Sequence, residues 1–346
     1  MFDLLLAALD AVALTQAWRW NRADAKPLLS LPLLVGVGLA GLMLALIFGA
    51  ELFDTMRLAS HVLFVHVPLV CGGIALIVRR SRIALVPAFA ALVLVIIGVD
   101  AFLIEPRALE VEHFQIVSKK VDHPIRIGLV ADIQVDSVGT YERHALTALA
   151  GEKPYLILFA GDYVQAPPHQ SVEVEQAFNQ LLRDAKLSAP LGAFAVEGNA
   201  EDHRDWAPLF HGTGIRALPR TTTIDLPGIR LTGLTLRDSF DRELDIPPDP
   251  TRLTIALGHG PDFALGGVMS DLLLAGHTHG GQVRLPLIGP LMTLSHVPRA
   301  WAAGLTALDH GRTLVVSRGV GMERGSAPRL RFRCRPELVI VDVVPG

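Results

Sequence analysis

Two histidines one residue apart carry the plainest chemistry in this chain. They lie in Gly276-His277-Thr278-His279-Gly280-Gly281-Gln282, directly after the apolar run Asp271-Leu272-Leu273-Leu274-Ala275. Read as a strand, that run delivers both imidazoles from its C-terminal end into a glycine-rich loop. Residues i and i+2 of an extended segment point the same way. Imidazole is a ligand for many transition ions, and glycines let the backbone come close. The heptapeptide therefore reads as a metal site.

Four other clusters follow the same plan. Ile127-Gly128-Leu129-Val130-Ala131 ends in Asp132-Ile133-Gln134, and Leu156-Ile157-Leu158-Phe159-Ala160 ends in Gly161-Asp162. Ala193-Phe194-Ala195-Val196-Glu197 ends in Gly198-Asn199-Ala200-Glu201-Asp202, and Thr254-Ile255-Ala256-Leu257 ends in Gly258-His259-Gly260-Pro261. Singly these are weak, because Gly-Asp or Gly-Asn after a strand is ordinarily a turn and a lone histidine is ordinarily a satisfied loop residue. Five in order, all at strand ends, are expected to converge, since open α/β sheets gather their sites outside the carboxyl ends of the strands.

The elements that must position them begin after Glu105-Pro106. Short β-rich runs are expected at 125–130, 155–159, 192–196, 229–234, 253–257, 271–275, 313–316 and 338–341, with helices at 141–150 and 172–186. Strands alternating with helices indicate a layered α/β domain. The net charge of −3 gives no basic footprint for nucleic acid. Two cysteines, Cys71 and Cys334, give no disulfide framework.

The first third has a different composition. Mean hydropathy over the 346 residues is +0.41, and the excess is concentrated before residue 105. The runs 27–50, 58–78 and 83–104 each reach about the 20 residues that a membrane-crossing helix needs. The segment 1–18 is apolar but carries Asp3 and Asp10; it reads as a fourth span, with an interfacial helix or signal-like segment as alternatives. Asp100 reads as an interfacial residue near the end of its span. The spans offer few paired charges. Arg19, Arg22 and Lys26 follow the first segment, and Arg79, Arg80 and Arg82 lie between the third and fourth. The positive-inside rule places both loops in the cytoplasm and the C-terminal domain outside it. The expected organisation is a membrane anchor of three to four helices over 1–107 and one catalytic domain over 108–346.

The series Asp132-x-Gln134, Gly161-Asp162, Gly198-Asn199, His259 and Gly276-His277-x-His279 resembles the calcineurin-like metallophosphoesterase superfamily. The Gly-His-Thr-His-Gly-Gly-Gln form and the tail Ser317-Arg318-Gly319-Val320-Gly321 with Arg331-Phe332-Arg333-Cys334-Arg335-Pro336-Glu337 are similar to its membrane-associated, YkuE-like branch. The resemblance covers residues 124–343 and implies a four-layer double β-sandwich flanked by helices. It implies that Asp132, Gln134 and His279 hold one metal, that Asn199, His259 and His277 hold a second, and that Asp162 bridges both. The ions implied are two of Mn²⁺, Fe²⁺, Zn²⁺ or Mg²⁺, roughly 3.5–4 Å apart, activating a water for in-line attack on phosphorus.

Two positions depart from the pattern. Gln134 stands where the family usually has histidine, and offers a neutral carbonyl oxygen instead. Ala200 stands where a histidine commonly assists the leaving group, and His203 is the candidate catalytic substitute beside Asp162. Glu201 and Asp202 read as solvated acids, Arg318 and Arg324 as phosphate-binding or surface charges, and Cys334 as packed. The expected function is a membrane-anchored phosphoester hydrolase of phosphodiesterase or pyrophosphohydrolase type in a bacterial-type inner membrane. Its substrate is expected at or near the bilayer, such as a phospholipid or a lipid-linked pyrophosphate. The alternative is a catalytically weak metal- or phosphate-binding protein that keeps the fold.

Overall fold

The computed structural model describes residues 1–23, 30–202 and 205–346. The chain forms two compact units, Met1–Ile104 with Ser326–Arg329, and Glu105–Gly325 with Leu330–Gly346. The expected Lys26, the start of the 27–50 span, and His203 lie outside the described residues.

The first unit is helical. α1 is Phe2–Arg22 and α2 is Ser30–Phe48. α3 (Leu52–His61) passes through a π-turn, Val62–His66, into α4 (Val67–Ile77). α5 (Leu85–Val99) continues through a second π-turn, Asp100–Ile104. Two helical rods, Leu52–Ile77 and Arg82–Arg107, are long and apolar enough to cross a membrane, at 26 residues each. The apolar part of α2 in the described residues, Pro32–Phe48, is shorter. Ala13, Ala17, Val37, Val70 and Ile74 are buried between helices, while Leu69, Leu76, Leu85, Phe89, Leu92 and Ile96 are exposed. A helix apolar on every side suits burial in protein or lipid. Charges are paired more than the sequence suggested: Asp10 meets His66, and Asp3 stands near His61.

The second unit is built on two six-stranded sheets. Its main strands are β1 (Glu110–Ser118), β2 (Ile125–Val130), β3 (Leu156–Phe159), β4 (Ala193–Ala195), β5 (Ile215–Ala217) and β6 (Thr222–Leu226). They continue with β7 (Ile229–Gly233), β8 (Leu253–Leu257), β9 (Leu272–Ala275), β10 (Gly304–Ala307), β11 (Thr313–Val316) and β12 (Glu337–Pro345). One sheet runs β1-β12-β2-β3-β4-β5 and the other β10-β11-β9-β8-β7-β6. β2 to β5 are mutually parallel, as are β7, β8, β9 and β11. Parallel strands share one carboxyl end, so each sheet collects its loops on one side.

Side chains alternate between the strand faces. Ile127, Leu129, Leu156, Leu158 and Val341 pack against Leu231, Ile255, Leu257, Leu272 and Leu274 in the core between the sheets. Ile157, Phe159 and Ala195 face outward onto two helices, α6 (Thr140–Gly151) and α7 (Ser171–Ala185), through Leu146, Leu149, Phe178 and Leu182. Both faces are covered, hence the unbroken apolar runs in the sequence. The far face differs from the expected helical flank. There Ala256, Leu273, Ala275 and Leu314 are covered by Leu234, Phe263, Ala264 and Val268, with the short turn Asp262–Leu265 in place of a long helix. β1 was not anticipated; it pairs along all of β12 as a half-exposed edge.

Candidate metal centre

The loops leaving β2, β3 and β4 stay together beyond the strands. Asp132 N–H donates to the Gly161 carbonyl at 3.0 Å, and Gln134 N–H to the Asp162 carbonyl at 2.9 Å. Gly161 and Gly198 make this approach possible. A Cβ on Gly161, whose φ is +89°, would lie 2.6 Å from the Gly198 Cα, and one on Gly198 would lie 2.0 Å from the Asp162 nitrogen. This is why glycine precedes both Asp162 and Asn199. Asp132, Gln134, Asp162, His277 and His279 all have left-handed backbone, with φ of 51°, 42°, 57°, 70° and 48°.

The first sheet carries the candidate oxygen ligands and the second the candidate imidazoles. His259 Nδ1–H donates to the Ala160 carbonyl at 2.7 Å. A carbonyl only accepts, so the Nε2 of the neutral ring carries a lone pair. That lone pair lies 2.8 Å from Asn199 Oδ1 and 3.4 Å from Asp162 Oδ1. His277 Nε2–H donates to the Leu294 carbonyl at 3.0 Å, which leaves Nδ1 bare, 2.9 Å from the same Asn199 oxygen. Two nitrogen lone pairs and an amide oxygen thus converge beside a carboxylate, with no donor between the rings and the amide oxygen among the described residues. A cation inside such a set relieves its repulsion, and carbonyls that fix the far ring nitrogen are the usual support of ligating histidines. One ligand atom each from Asp132, Asp162 and His259 also lies within 4.8 Å of the others. The donor set fits a divalent ion.

The neighbouring half is less settled. Gln134 Oε1 and His279 Nε2 are buried with no hydrogen-bond partner among the described residues. The Gln134 amide nitrogen donates to Asp162 Oδ2 at 2.9 Å and to Glu323 Oε2 at 3.2 Å. Gln165 donates to the other Glu323 oxygen. Arg331, fully buried, donates to the carbonyls of Arg318, Gly319, Gly321 and Cys334 and places Nη2 3.5 Å from His279 Nδ1. Both backbone-facing Asp132 oxygens accept the His277 N–H at 3.0 Å.

Burial sets the titration of the group. It lowers the His259 imidazole to about 4. It lowers His277, helped by His259, and His279 well below the usual range, helped by the Arg331 charge. It raises Asp132 well above the carboxylate range, with Asp162 adding repulsion, and raises Asp162 and Glu323. Neutral imidazoles are ready to bind, and a cation reverses the pressure on the carboxylates.

All seven expected ligands, Asp132, Gln134, Asp162, Asn199, His259, His277 and His279, are therefore gathered at one end of the two sheets. Asn199 is exposed and His277 half-buried, whereas Asp132, Gln134, Asp162, His259 and His279 are buried. Solvent reaches the centre on the Asn199–His277 side. Ala200 is buried, and its N–H donates to Asp162 Oδ1 at 2.7 Å.

Three sequence readings change. Glu201 is not a solvated acid: it is 1% exposed and accepts the N–H groups of Asp162, Tyr163 and Val164, bracing the Asp162 loop. Burial raises its pKa while those donors oppose the rise. Arg318 neither meets phosphate nor lies free, because it pairs with Glu110, Glu112 and Glu337. Arg324 donates to the Gln134 carbonyl at 2.9 Å. Cys334 is buried against the His279 carbonyl, as its reading had it. Glu323, Gln165 and Arg331 were missed as site residues. The only sequence signal for Arg331 was its place in the basic tail.

The calcineurin-like phosphoesterase family matches residues 125–281. The chain is 30% identical over 258 residues to the metallophosphoesterase YkuE of Bacillus subtilis (strain 168), covering 68% of this chain and 86% of that protein. It is 31% identical over 205 residues to the phosphodiesterase YaeI of Escherichia coli (strain K12), covering 56% and 72% respectively. A metallophosphoesterase of Aquifex aeolicus (strain VF5) is 27% identical over 258 residues, with 94% of its length covered.

Proposed function

We propose that this chain, which belongs to the calcineurin-like phosphoesterase family and is a phosphoester hydrolase, uses two divalent ions to cleave phosphodiester or pyrophosphate bonds beside a membrane. The observation that carries the metal assignment is the convergence of His259, His277, Asn199 and Asp162. Those four would hold one ion. Asp132, Gln134 and His279 would hold the other, with Asp162 shared between them. When bound, such a pair supplies a water nucleophile at neutral pH and offsets the charge of the phosphoryl oxygens.

The chain's own groups do the rest. The Ala160 and Leu294 carbonyls hold two imidazoles in their ligating tautomers. Glu201 holds the Asp162 loop. The exposed Asn199 marks the side from which a phosphoester enters. At position 200 a methyl group stands where the family commonly carries an acid, and a positioned acid contributes about 10²–10⁴-fold for poor leaving groups. Diesters and pyrophosphates with stable leaving groups need that proton least, and the name of the YaeI relative, a phosphodiesterase, points the same way. His203 is proposed as the residual acid.

The two 26-residue apolar rods support anchoring. The basic loops around Arg19 and Arg22, and around Arg79, Arg80 and Arg82, support an extracytoplasmic catalytic domain in an inner membrane of bacterial type. An anchored site favours a lipid-linked phosphoester.

The test is hydrolysis of bis-p-nitrophenyl phosphate by the detergent-solubilised full chain with Mn²⁺, read alongside bound metal. Two ions per chain and loss of hydrolysis in Asp162→Asn and His277→Ala are expected. Undiminished hydrolysis in both variants refutes the mechanism. One ion or none, with no turnover, supports the binding-protein alternative that Gln134 and Ala200 motivate. Protection of the C-terminal domain from protease in intact spheroplasts reverses the orientation.

A further inference from the structure

The helical unit contains a second group of metal-type side chains that phosphoester chemistry does not use. α1 carries Asp3 and Asp10, seven residues apart and so on one helix face. The rod beside it carries His61 and His66. In a regular α-helix, residues five apart point roughly 140° away from each other. Here the π-turn Val62–His66 follows His61 and ends on His66. The extra residue per turn brings the two rings to 5.2 Å between centroids. Such turns occur often at functional sites.

The two histidine–aspartate contacts differ in kind. His66 Nδ1 lies 2.6 Å from Asp10 Oδ2, a short hydrogen bond in which the carboxylate accepts the ring proton. That leaves His66 Nε2 with a lone pair. His61 Nε2 lies 3.5 Å from Asp3 Oδ1. This is long for a hydrogen bond and close to the edge of a ligand tetrahedron, about 3.3 Å when each ligand sits near 2.0–2.1 Å from zinc. One ligand atom from each of Asp3, His61 and His66 lies within 4.8 Å of the others.

A second observation points to a cation. Asp10 Oδ1 is buried without a hydrogen-bond partner among the described residues. A carboxylate charge among apolar helices is costly unless something compensates it. A carboxylate behind a ligating histidine is the arrangement that orients metal-bound imidazoles. The side chains of His66 and Asp10 are 9% and 14% exposed, whereas those of His61 and Asp3 are 44% and 79% exposed. The group is closed behind and open in front, which leaves room for a water as a further ligand.

We propose that Asp3, His61 and His66, with Asp10 behind His66, bind a divalent transition ion of the zinc class at a site separate from the phosphoesterase centre. The mixed imidazole and carboxylate set suits zinc or its spectroscopic substitute, Co²⁺.

The experiment uses the full chain in detergent, stripped of metal and titrated with Co²⁺. An Asp162→Asn/His277→Ala background weakens the other centre, and comparing it with and without the His61→Ala and Asp3→Asn changes assigns the remaining ion independently of the function proposed above. One Co²⁺ per chain is expected to remain there, with the visible bands of a low-coordinate site. Adding His61→Ala or Asp3→Asn should weaken it by more than about 100-fold, and Asp10→Asn by about 10–100-fold, the range for a partner behind a ligand. His61 and Asp3 are partly exposed, and unchanged helicity by circular dichroism shows that these variants fold. Absence of Co²⁺ in the background protein overturns the proposal. So does Co²⁺ binding that His61→Ala and Asp3→Asn leave unchanged.

Discussion

The two halves of the candidate metal centre are held in different ways. His259 and His277 are oriented by main-chain carbonyls, those of Ala160 and Leu294. The Gln134 side chain is held by side chains, through Asp162 and Glu323, and its Oε1 has no partner among the described residues. A ligand steered by the backbone keeps its geometry as long as the fold stands. A ligand steered by side chains can be retuned by one substitution. The departure from the family pattern at position 134 falls in the half held by side chains.

The largest effect is expected at Asp162, the residue proposed to be shared by both halves. Asp162→Asn should reduce hydrolysis by more than about 100-fold, beyond what loss of a partner behind a ligand causes, and should lower bound metal in both halves. If only one ion is lost, Asp162 does not bridge. Next is Glu323→Gln. With the charge beside Gln134 removed, the metal held by that half should weaken by about 10–100-fold, while the ion at His259 and His277 stays, as competition with a chelator would report. Gln134→His should act in the opposite direction, slowing metal loss from the same half by roughly tenfold, since imidazole is the stronger ligand for zinc-like ions.

The smallest effect is on the metal-free protein. His259 has an ordinary unfolded pKa of 6.5 and a folded value of about 4. Between those values the unfolded chain binds the extra proton and the folded chain does not. The stability from its burial is therefore complete above pH 6.5 and is lost as pH falls toward 4, by about 3 kcal/mol in all. The buried carboxylates Asp132, Asp162, Glu201 and Glu323, raised by burial, act in the opposite direction over the same range. The His259 contribution is therefore read as the difference in urea midpoint between chelator-treated protein and its His259→Gln variant at pH 7 and pH 5. A difference that does not shift against the unsubstituted protein at pH 5 would contradict the buried neutral ring.

The carboxyl ends of the strands were legible because each apolar run stops at glycine or a polar ligand, and parallel strands share one end. The ligands of both halves come from such ends. Glu323 was not legible. It sits in a loop after β11 and reaches Gln134 and Gln165 through contacts 189 and 158 residues away in sequence. Glu201 was misread because three backbone N–H groups, invisible in the sequence, had replaced its water. β1 was missed because an edge strand exposed on one side lacks a continuous apolar run. The pairing of Asp10 with His66 spans 56 residues and depends on a π-turn, which has no sequence period.

Five of the seven gathered ligands have left-handed backbone. Each such residue other than glycine costs roughly 1 kcal/mol or more. Together they cost about 5 kcal/mol, on the order of the whole net stability of a small domain. Glycine at any of these positions would relieve that strain. A gene copy freed from the need to hydrolyse anything should therefore drift toward glycine there and become sturdier as it falls silent. In this chain Asp132, Gln134, Asp162, His277 and His279 all keep their side chains, and with them the strain.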